Sequence, residues 1–213
     1  MGLDLLGVLM VWTHWHWRAG ALLCAIVLLV TGGLSEAAET DLAIAEWFET
    51  YSLSIPNHWN IFICHGFSCV FRTQVALNDI DRAKLSRMVT AATPEGERRG
   101  LARAVAWFDR RVGVAAGTTR AKARAAGAAG DPSQFDCIDR TLNTMSLVTV
   151  LQQWGMLHHH RLTGPASRHI VAPHTSAVVA ERNGGRKWVI DPWTHNFGEL
   201  PDVMPLQTWV DLE

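Results

Sequence analysis

The segment that decides the fold is FDCIDRTLNT, residues Phe135 to Thr144. Apolar residues recur at helical spacing from this segment up to Trp154, and Gly155 follows as a residue that commonly ends a helix. Cys137 is therefore predicted at or near the first residue of a helix. At that position, free backbone N–H groups and the positive end of the helix dipole stabilise a thiolate, and they can also bind the oxyanion of a tetrahedral intermediate.

Two runs of β-favouring residues follow downstream, Pro173 to Arg182 and Gly185 to Trp193. Asn183-Gly184 joins them, which is the sequence signal of a hairpin with a type I′ turn. This turn places Asp191 opposite Ser176, so His174 shares a face of the hairpin with Asp191, within reach of an imidazole–carboxylate hydrogen bond. Together with Cys137, the pair supplies the nucleophile, base and orienting group of a thiol catalyst.

The order of these residues resembles the transglutaminase-like cysteine-protease superfamily, in which a cysteine begins a helix and a histidine and an aspartate follow on adjacent strands. FDCIDRTLNT resembles the GDCEDY-type segment of the bacterial transglutaminase-like cysteine proteinases, and PHTSAVV and WVIDPW resemble their His and Asp strands. The resemblance covers residues 93–193. It implies Cys137 as nucleophile, His174 as base and acid, and Asp191 as the orienting residue, with no cofactor.

The same resemblance implies an α+β fold with a papain/transglutaminase-like core. In such a core, the helix bearing the cysteine packs on a small antiparallel sheet bearing the histidine and the aspartate. The expected oxyanion donors are the N–H group of Cys137 and the side chain of Gln134, and no tryptophan or tyrosine stands at an obvious oxyanion position. His195 is a competing base, but it lies in an expected loop without an evident carboxylate partner.

Residues 1–38 are predicted to be a signal peptide or an N-terminal membrane anchor, and residues 39–213 a transglutaminase-like cysteine hydrolase domain. The run 19–34 is uncharged, and its length lies between that of a signal peptide and that of a membrane span. Ser35-x-Ala37 fits a signal cleavage site. A buried core helix is the third interpretation of the run. The first two predict a periplasmic or secreted domain, anchored to the inner membrane by the run if it is not cleaved.

Export changes the meaning of the cysteines, because disulfides persist in oxidising compartments. Cys24 lies within the apolar run, and three cysteines remain beyond it, so one thiol stays free. We expect Cys64 and Cys69 to form a short-loop disulfide in which Gly66 lets the chain turn. Free thiols, or a loop that faces a substrate, are the alternatives. The expected disulfide leaves Cys137 as the free thiol.

His158-His159-His160 invites a metal-site interpretation, but consecutive residues cannot all face one ion on a regular element. A polar loop without a metal is the prediction. Further helices are predicted at residues 40–50 and 79–92 and from Thr93-Pro94 onward, where Thr93 caps the helix. Residues 59–75 are predicted to be strand or irregular, and residues 117–132 a loop. Residues 194–213 should close the fold without contributing chemistry.

The predicted function is that of an exported thiol hydrolase that cleaves an amide bond in a protein or a cell-wall peptide. Acyl transfer to an amine uses the same chemistry, and a non-catalytic binding module on the same fold is the main alternative. A thiol–disulfide protein that uses Cys64 and Cys69 is a third possibility. The net charge of −1 over 213 residues gives no reason to expect nucleic acid as a partner.

Overall fold

The structure, a computed structural model, describes residues 36–169 and 173–212. Its helices are α1 (Glu36–Thr50), α2 (Asp79–Val89), α3 (Pro94–Ala116), α4 (Cys137–Gln153) and α5 (Leu206–Val210). Its strands are β1 (Asn60–His65), β2 (Phe71–Ala76), β3 (His160–His169), β4 (Pro173–Glu181), β5 (Lys187–Asp191) and β6 (Asp202–Pro205). The described chain therefore has the mixed helix and sheet content of an α+β protein.

Helix α4 lies at the centre of the fold. It begins at Cys137, and every residue from Asp139 to Leu151 is buried. The helix contacts β1 of one sheet and β3, β4 and β5 of the other. Its fully buried side chains include Leu142 and Met145, each of which contributes about 1.5–3 kcal/mol by leaving water. The first turn of α4 is thereby fixed by the core of the domain.

The strands form two antiparallel sheets in the described residues, β1-β2 and β3-β4-β5-β6. In the second sheet Ala177 pairs with Ile190, which is the register predicted from the Asn183-Gly184 turn. The turn itself differs from the type I′ prediction. Positive φ angles occur at Gly184 and Gly185, whereas type I′ requires them at both residues of Asn183-Gly184. The same register is kept because the loop is longer, with the N–H of Glu181 donating to the carbonyl of Arg186.

The predicted start of α3 is confirmed. Thr93 is the N-cap, its Oγ accepts from the N–H of Gly96, and Pro94 occupies the first helical position. Helices α2 and α3 pack closely at Gly100, where a Cβ atom would lie 2.4 Å from the carbonyl oxygen of Met88. Residues 117–132 are irregular, as predicted, and the irregular segment continues to residue 136. It is joined to the segment after β5 by a hydrogen bond from the N–H of Arg124 to the carbonyl of Trp193.

The expectation of a transmembrane helix requires correction. Within residues 36–169 and 173–212, no helix is both long enough and apolar enough to cross a membrane. The run 19–34, for which a signal peptide or an anchor was predicted, lies outside the described residues.

Candidate active site

His174 and Asp191 form a buried pair on the β4–β5 hairpin. Nε2 of His174 lies 2.6 Å from Oδ2 of Asp191, and the two residues are 4% and 1% exposed. The hairpin register produces this contact, because Ser176 lies one pair beyond Ala177–Ile190 and so faces Asp191. The hydrogen bond at Nε2 leaves Nδ1 as the ring nitrogen available to a third group.

Cys137 lies at the first residue of α4 and is partly exposed. Oγ of Thr141, one turn into the helix, lies 2.7 Å from the carbonyl oxygen of Cys137 and 2.9 Å from that of Thr175. The hydroxyl carries a single proton, so it donates to one of these carbonyls at a time. Thr141 thereby connects the turn that carries Cys137 to the strand that carries His174.

The electrostatics of the three residues are coupled. Burial disfavours the imidazolium of His174, but the hydrogen bond and charge of Asp191 and the nearby sulfur of Cys137 together outweigh it and raise the pKa of His174 to about 9. Burial likewise favours neutral Asp191, but the hydrogen bond and charge of His174, together with the hydrogen bonds from Trp209 and Trp193, outweigh it and lower the pKa of Asp191.

Cys137 lies close to His174, but no aligned hydrogen bond joins the two side chains. Nδ1 of His174 is buried and has no partner of hydrogen-bond geometry among the described residues, although the thiol of Cys137 is close enough to raise the pKa of the ring. Active sites without substrate often show long or poorly aligned contacts of this kind. The arrangement brings a thiol, an imidazole and a carboxylate together at one place in the fold.

Two tryptophans enclose the His–Asp pair. The ring of Trp193 lies 4.7 Å from that of His174, and the ring of Trp209 lies 5.3 Å from it. The indole N–H of Trp209 also donates to Oδ2 of Asp191 at 2.9 Å. The segment 194–213, in which the sequence indicated no chemistry, therefore supplies Trp209 on α5 as a neighbour of both the carboxylate and the ring.

Tyr51 is a further residue that sequence reasoning did not place at the site. It is the single tyrosine of the chain. Burial raises the pKa of Tyr51, and the charges of Asp136, Cys137 and Asp139 raise it further. Its side chain therefore lies within electrostatic range of the first turn of α4. No local sequence pattern connects the end of α1 with Cys137, so only the tertiary structure could reveal this proximity.

Two aspartates flank Cys137 and bind the loop between β1 and β2. Asp136 is the N-cap of α4 and Asp139 is its third residue, and together they form a capping box. Oδ2 of Asp139 accepts from the N–H of Phe67 at 2.8 Å, and Oδ1 accepts from that of Cys69 at 2.7 Å. Burial, followed by the charge of Asp136, raises the pKa of Asp139 to about 7.

Cys64 and Cys69 form a disulfide bond that closes this loop. Among the cysteines of residues 36–169 and 173–212, Cys137 is the one that remains free. The loop that joins the two half-cystines lies against the start of α4. The sequence showed the acidic residues at the helix start, but gave no indication that the cysteine loop is their partner.

The side-chain amide of Gln134, the other expected oxyanion donor, is bound by the segment before α4. Its Nε2 donates to the carbonyl of Arg120 at 3.2 Å, and its Oε1 accepts from the N–H of Lys122 at 2.9 Å. Because both ends of the amide bind the irregular segment before α4, we leave Gln134 out of the proposed oxyanion site. The N–H of Cys137, in the first turn of α4, remains as a candidate.

His195, the competing base, has carboxylate neighbours that the sequence did not suggest. Its Nε2 lies 3.2 Å from Oδ1 of Asp202, and its Nδ1 lies 3.9 Å from Oε2 of Glu199. These contacts hold His195 to the loop and strand that follow β5.

The triple histidine forms a structural network with Glu97. The carboxylate of Glu97 accepts the backbone N–H groups of His158, His159 and His160, and it also contacts Nδ1 of His160 at 2.8 Å. Glu97 and His160 are completely buried. Among the described residues, no group of three or more metal-ligating side chains is arranged to hold an ion.

No family model, no curated protein and no solved structure matches the chain.

Proposed function

We propose that the chain is a thiol hydrolase of the transglutaminase-like kind, which cleaves an amide bond in a protein or peptide. The observation that carries the proposal is the hydrogen bond from His174 to buried Asp191, with Cys137 at a helix start close enough to raise the pKa of the same ring. A thiol, a base and an orienting carboxylate are the groups that acyl transfer to sulfur requires. A structural core does not require a buried histidine–aspartate pair beside a partly exposed cysteine, so the arrangement supports a catalytic role.

In the proposed mechanism, the thiolate of Cys137 attacks the carbonyl carbon, and the carbonyl oxygen receives the displaced electron pair. The N–H of Cys137 stabilises that oxyanion. Imidazolium of His174 then donates its proton to the departing amine, and the C–N bond breaks to leave a thioester. Neutral His174 takes a proton from water and the hydroxide attacks the thioester. The C–S bond then breaks, which releases the carboxylic acid and restores the thiolate beside the imidazolium. Asp191 holds the ring in position and stabilises the imidazolium.

The location that fits this proposal is outside the cytoplasm. The disulfide between Cys64 and Cys69 is compatible with an oxidising compartment. We propose the periplasm or the cell exterior, where protein or cell-wall peptides are the accessible amides.

An activated ester tests the proposal without knowledge of the natural substrate. The full chain is mixed with p-nitrophenyl acetate, and nitrophenol release is followed while peptide mapping locates the acetyl group. The proposal requires a burst of nitrophenol and an acetyl thioester on Cys137, both abolished in Cys137→Ala and slowed in His174→Gln. Acetylation at residues other than Cys137, or acetylation of Cys137 at an unchanged rate in His174→Gln, would contradict the proposal. An added primary amine then separates hydrolysis from transfer, because transfer yields an acetylated amine.

A further inference from the structure

Four consecutive residues in the loop between β1 and β2 have a left-handed backbone conformation. The φ angles are 79° at Gly66, 77° at Phe67, 51° at Ser68 and 57° at Cys69. Only glycine adopts this region readily, so three of the four residues carry a conformational cost that their surroundings must offset. The contacts of this strained, closed loop with its surroundings therefore bear on the candidate nucleophile beside it.

The loop is fixed to α4 through its backbone. Asn143 accepts from the N–H of Cys64 at 2.8 Å and donates to its carbonyl at 2.9 Å. The N–H of Gly66 donates to the carbonyl of Gln134 at 2.9 Å. The disulfide with Cys69 holds the two ends of the loop together, so the N–H groups between them keep a common orientation.

The carboxylates that bind the loop are also the ones that organise the start of α4. Asp139 accepts the N–H groups of Phe67 and Cys69, and its Oδ2 also accepts from the N–H of Asp136 at 3.3 Å. Asp136 accepts from the N–H of Ser68 at 2.8 Å while its other oxygen caps the helix. Cys137 lies between these two aspartates in the chain. The loop conformation and the first turn of α4 therefore form one hydrogen-bonded unit.

We propose that Asp139 is a positioning residue for Cys137 and acts only while the Cys64–Cys69 disulfide holds the loop amides in reach, so that the reactivity of Cys137 depends on this disulfide. The inference rests on the proposed function. A dithiol reductant would transfer two electrons and two protons to the disulfide, leaving thiols at Cys64 and Cys69 and a disulfide in the reductant. The loop could then leave its left-handed conformation and withdraw its N–H groups from Asp139.

The expected dependence on reductant is the reverse of the usual one for a cysteine hydrolase. A dithiol ordinarily protects such an enzyme by keeping its nucleophile reduced. In this chain the same reagent would also open the loop that the disulfide closes, and that loop is hydrogen-bonded to the first turn of α4, which carries Cys137. Loss of that turn removes the aligned N–H groups that stabilise the thiolate and separates Cys137 from His174.

Iodoacetamide labelling of Cys137 in the full chain, mapped by peptide mass, measures this dependence. Disulfide-intact protein is compared with protein treated with dithiothreitol and then desalted under nitrogen, each over a range of pH. We expect reduction to slow labelling of Cys137 at pH 6 by about tenfold. Labelling of Cys64 and Cys69 in the same digest reports the extent of reduction.

The variant Asp139→Asn tests the positioning role of Asp139 without breaking the Cys64–Cys69 disulfide. The amide puts an N–H donor where one carboxylate oxygen accepts a loop N–H, and at pH 6 it changes little charge because the pKa of Asp139 is about 7. The matched control is Asp81→Asn, because Asp81 is the buried third residue of the capping box of α2. Asp139→Asn should slow labelling as reduction does, and reduction of this variant should cause no further loss. Asp81→Asn should leave the labelling profile unchanged.

Two results would overturn the inference: labelling of Cys137 that is unchanged by reduction, or effects of reduction and of Asp139→Asn that multiply as independent effects do. Thermal denaturation of each sample shows that the folded protein is being labelled. Failure of the proposed function is a separate outcome, because it would appear in the disulfide-intact wild-type chain as an ordinary thiol profile at Cys137.

Discussion

Trp209 on the last helix donates its indole N–H to Oδ2 of Asp191 at 2.9 Å. That oxygen also receives the hydrogen bond from His174. One carboxylate oxygen therefore joins the C-terminal helix to the β4–β5 hairpin, and the indole is 1% exposed. A hydrogen bond to a charged carboxylate is stronger than one between neutral groups. Removal of the donor is also costly, because no water can reach the buried carboxylate to replace it.

Replacement of Trp209 by phenylalanine removes this donor and keeps an aromatic ring beside His174. We expect the free energy of unfolding to fall by about 1.5–3 kcal/mol in urea denaturation, and the p-nitrophenyl acetate burst to slow. Trp188→Phe is the matched control, because the indole N–H of Trp188 donates to Glu181 at 3.0 Å and contacts neither His174 nor Asp191. A burst that is slowed equally by both variants would remove Trp209 from the site.

The protonation of His174 can be followed directly by NMR of ¹³C-labelled histidine. The resonance that is missing from His174→Gln should titrate with a midpoint near pH 9 in the wild-type chain. In Asp191→Asn the midpoint should move below its wild-type value, because burial then acts against the imidazolium without the carboxylate to oppose it. An unchanged midpoint in Asp191→Asn would show that the pair does not control this ring.

The raised pKa of Asp139 predicts that the stability of the folded chain depends on pH. Its pKa is about 7 in the folded chain and 3.8 as an unperturbed group, so the folded state binds the proton more tightly. The contribution is fully present below about pH 4 and is lost as the pH rises to about 7. Urea denaturation should show a flatter profile over this interval for Asp139→Asn than for the wild-type chain. An equally steep profile would contradict the assignment.

Replacement of Glu97 should lower the free energy of unfolding strongly without changing the reactivity of Cys137. Glu97→Ala leaves His160 and consecutive backbone N–H groups buried without their acceptor, and we expect a cost of about 3–5 kcal/mol. Glu95→Ala is the control on the same helix turn, because its ion pair with Arg99 is exposed and contributes about 0–1 kcal/mol. Cys137 in the folded fraction of either variant should be labelled at the wild-type rate. Slower labelling in folded Glu97→Ala would place the triple histidine in the active site.

Features that depend on neighbouring residues could be predicted from the sequence. The Asn183-Gly184 signal gave the register that brings His174 to Asp191, since loop residues and strand periodicity act over a few positions. Thr93-Pro94 likewise marked the start of α3. The exact turn was missed because a longer loop with positive φ at Gly184 and Gly185 preserves the same register.

Features that join distant parts of the chain could not be predicted. The N–H of Cys69 and the carboxylate of Asp139 are 70 residues apart, and nothing local distinguishes these partners from solvent. Trp209 and Tyr51 likewise approach the site only through tertiary packing. Gln134 was a reasonable oxyanion candidate by its spacing from Cys137, but the carbonyl of Arg120, on the folded-back segment before α4, binds its amide.

The central claim is that His174 activates Cys137, and alkylation kinetics test it most directly. The full chain, with its disulfide intact, is treated with iodoacetamide across pH, and the rate at Cys137 is measured by peptide mass in the wild type and in His174→Ala. We predict that Cys137 of the wild type is labelled at pH 6 much faster than an ordinary thiol, and that His174→Ala slows this labelling by about tenfold or more. Labelling of the wild type at the rate of an ordinary thiol, or fast labelling that survives His174→Ala, would contradict the claim.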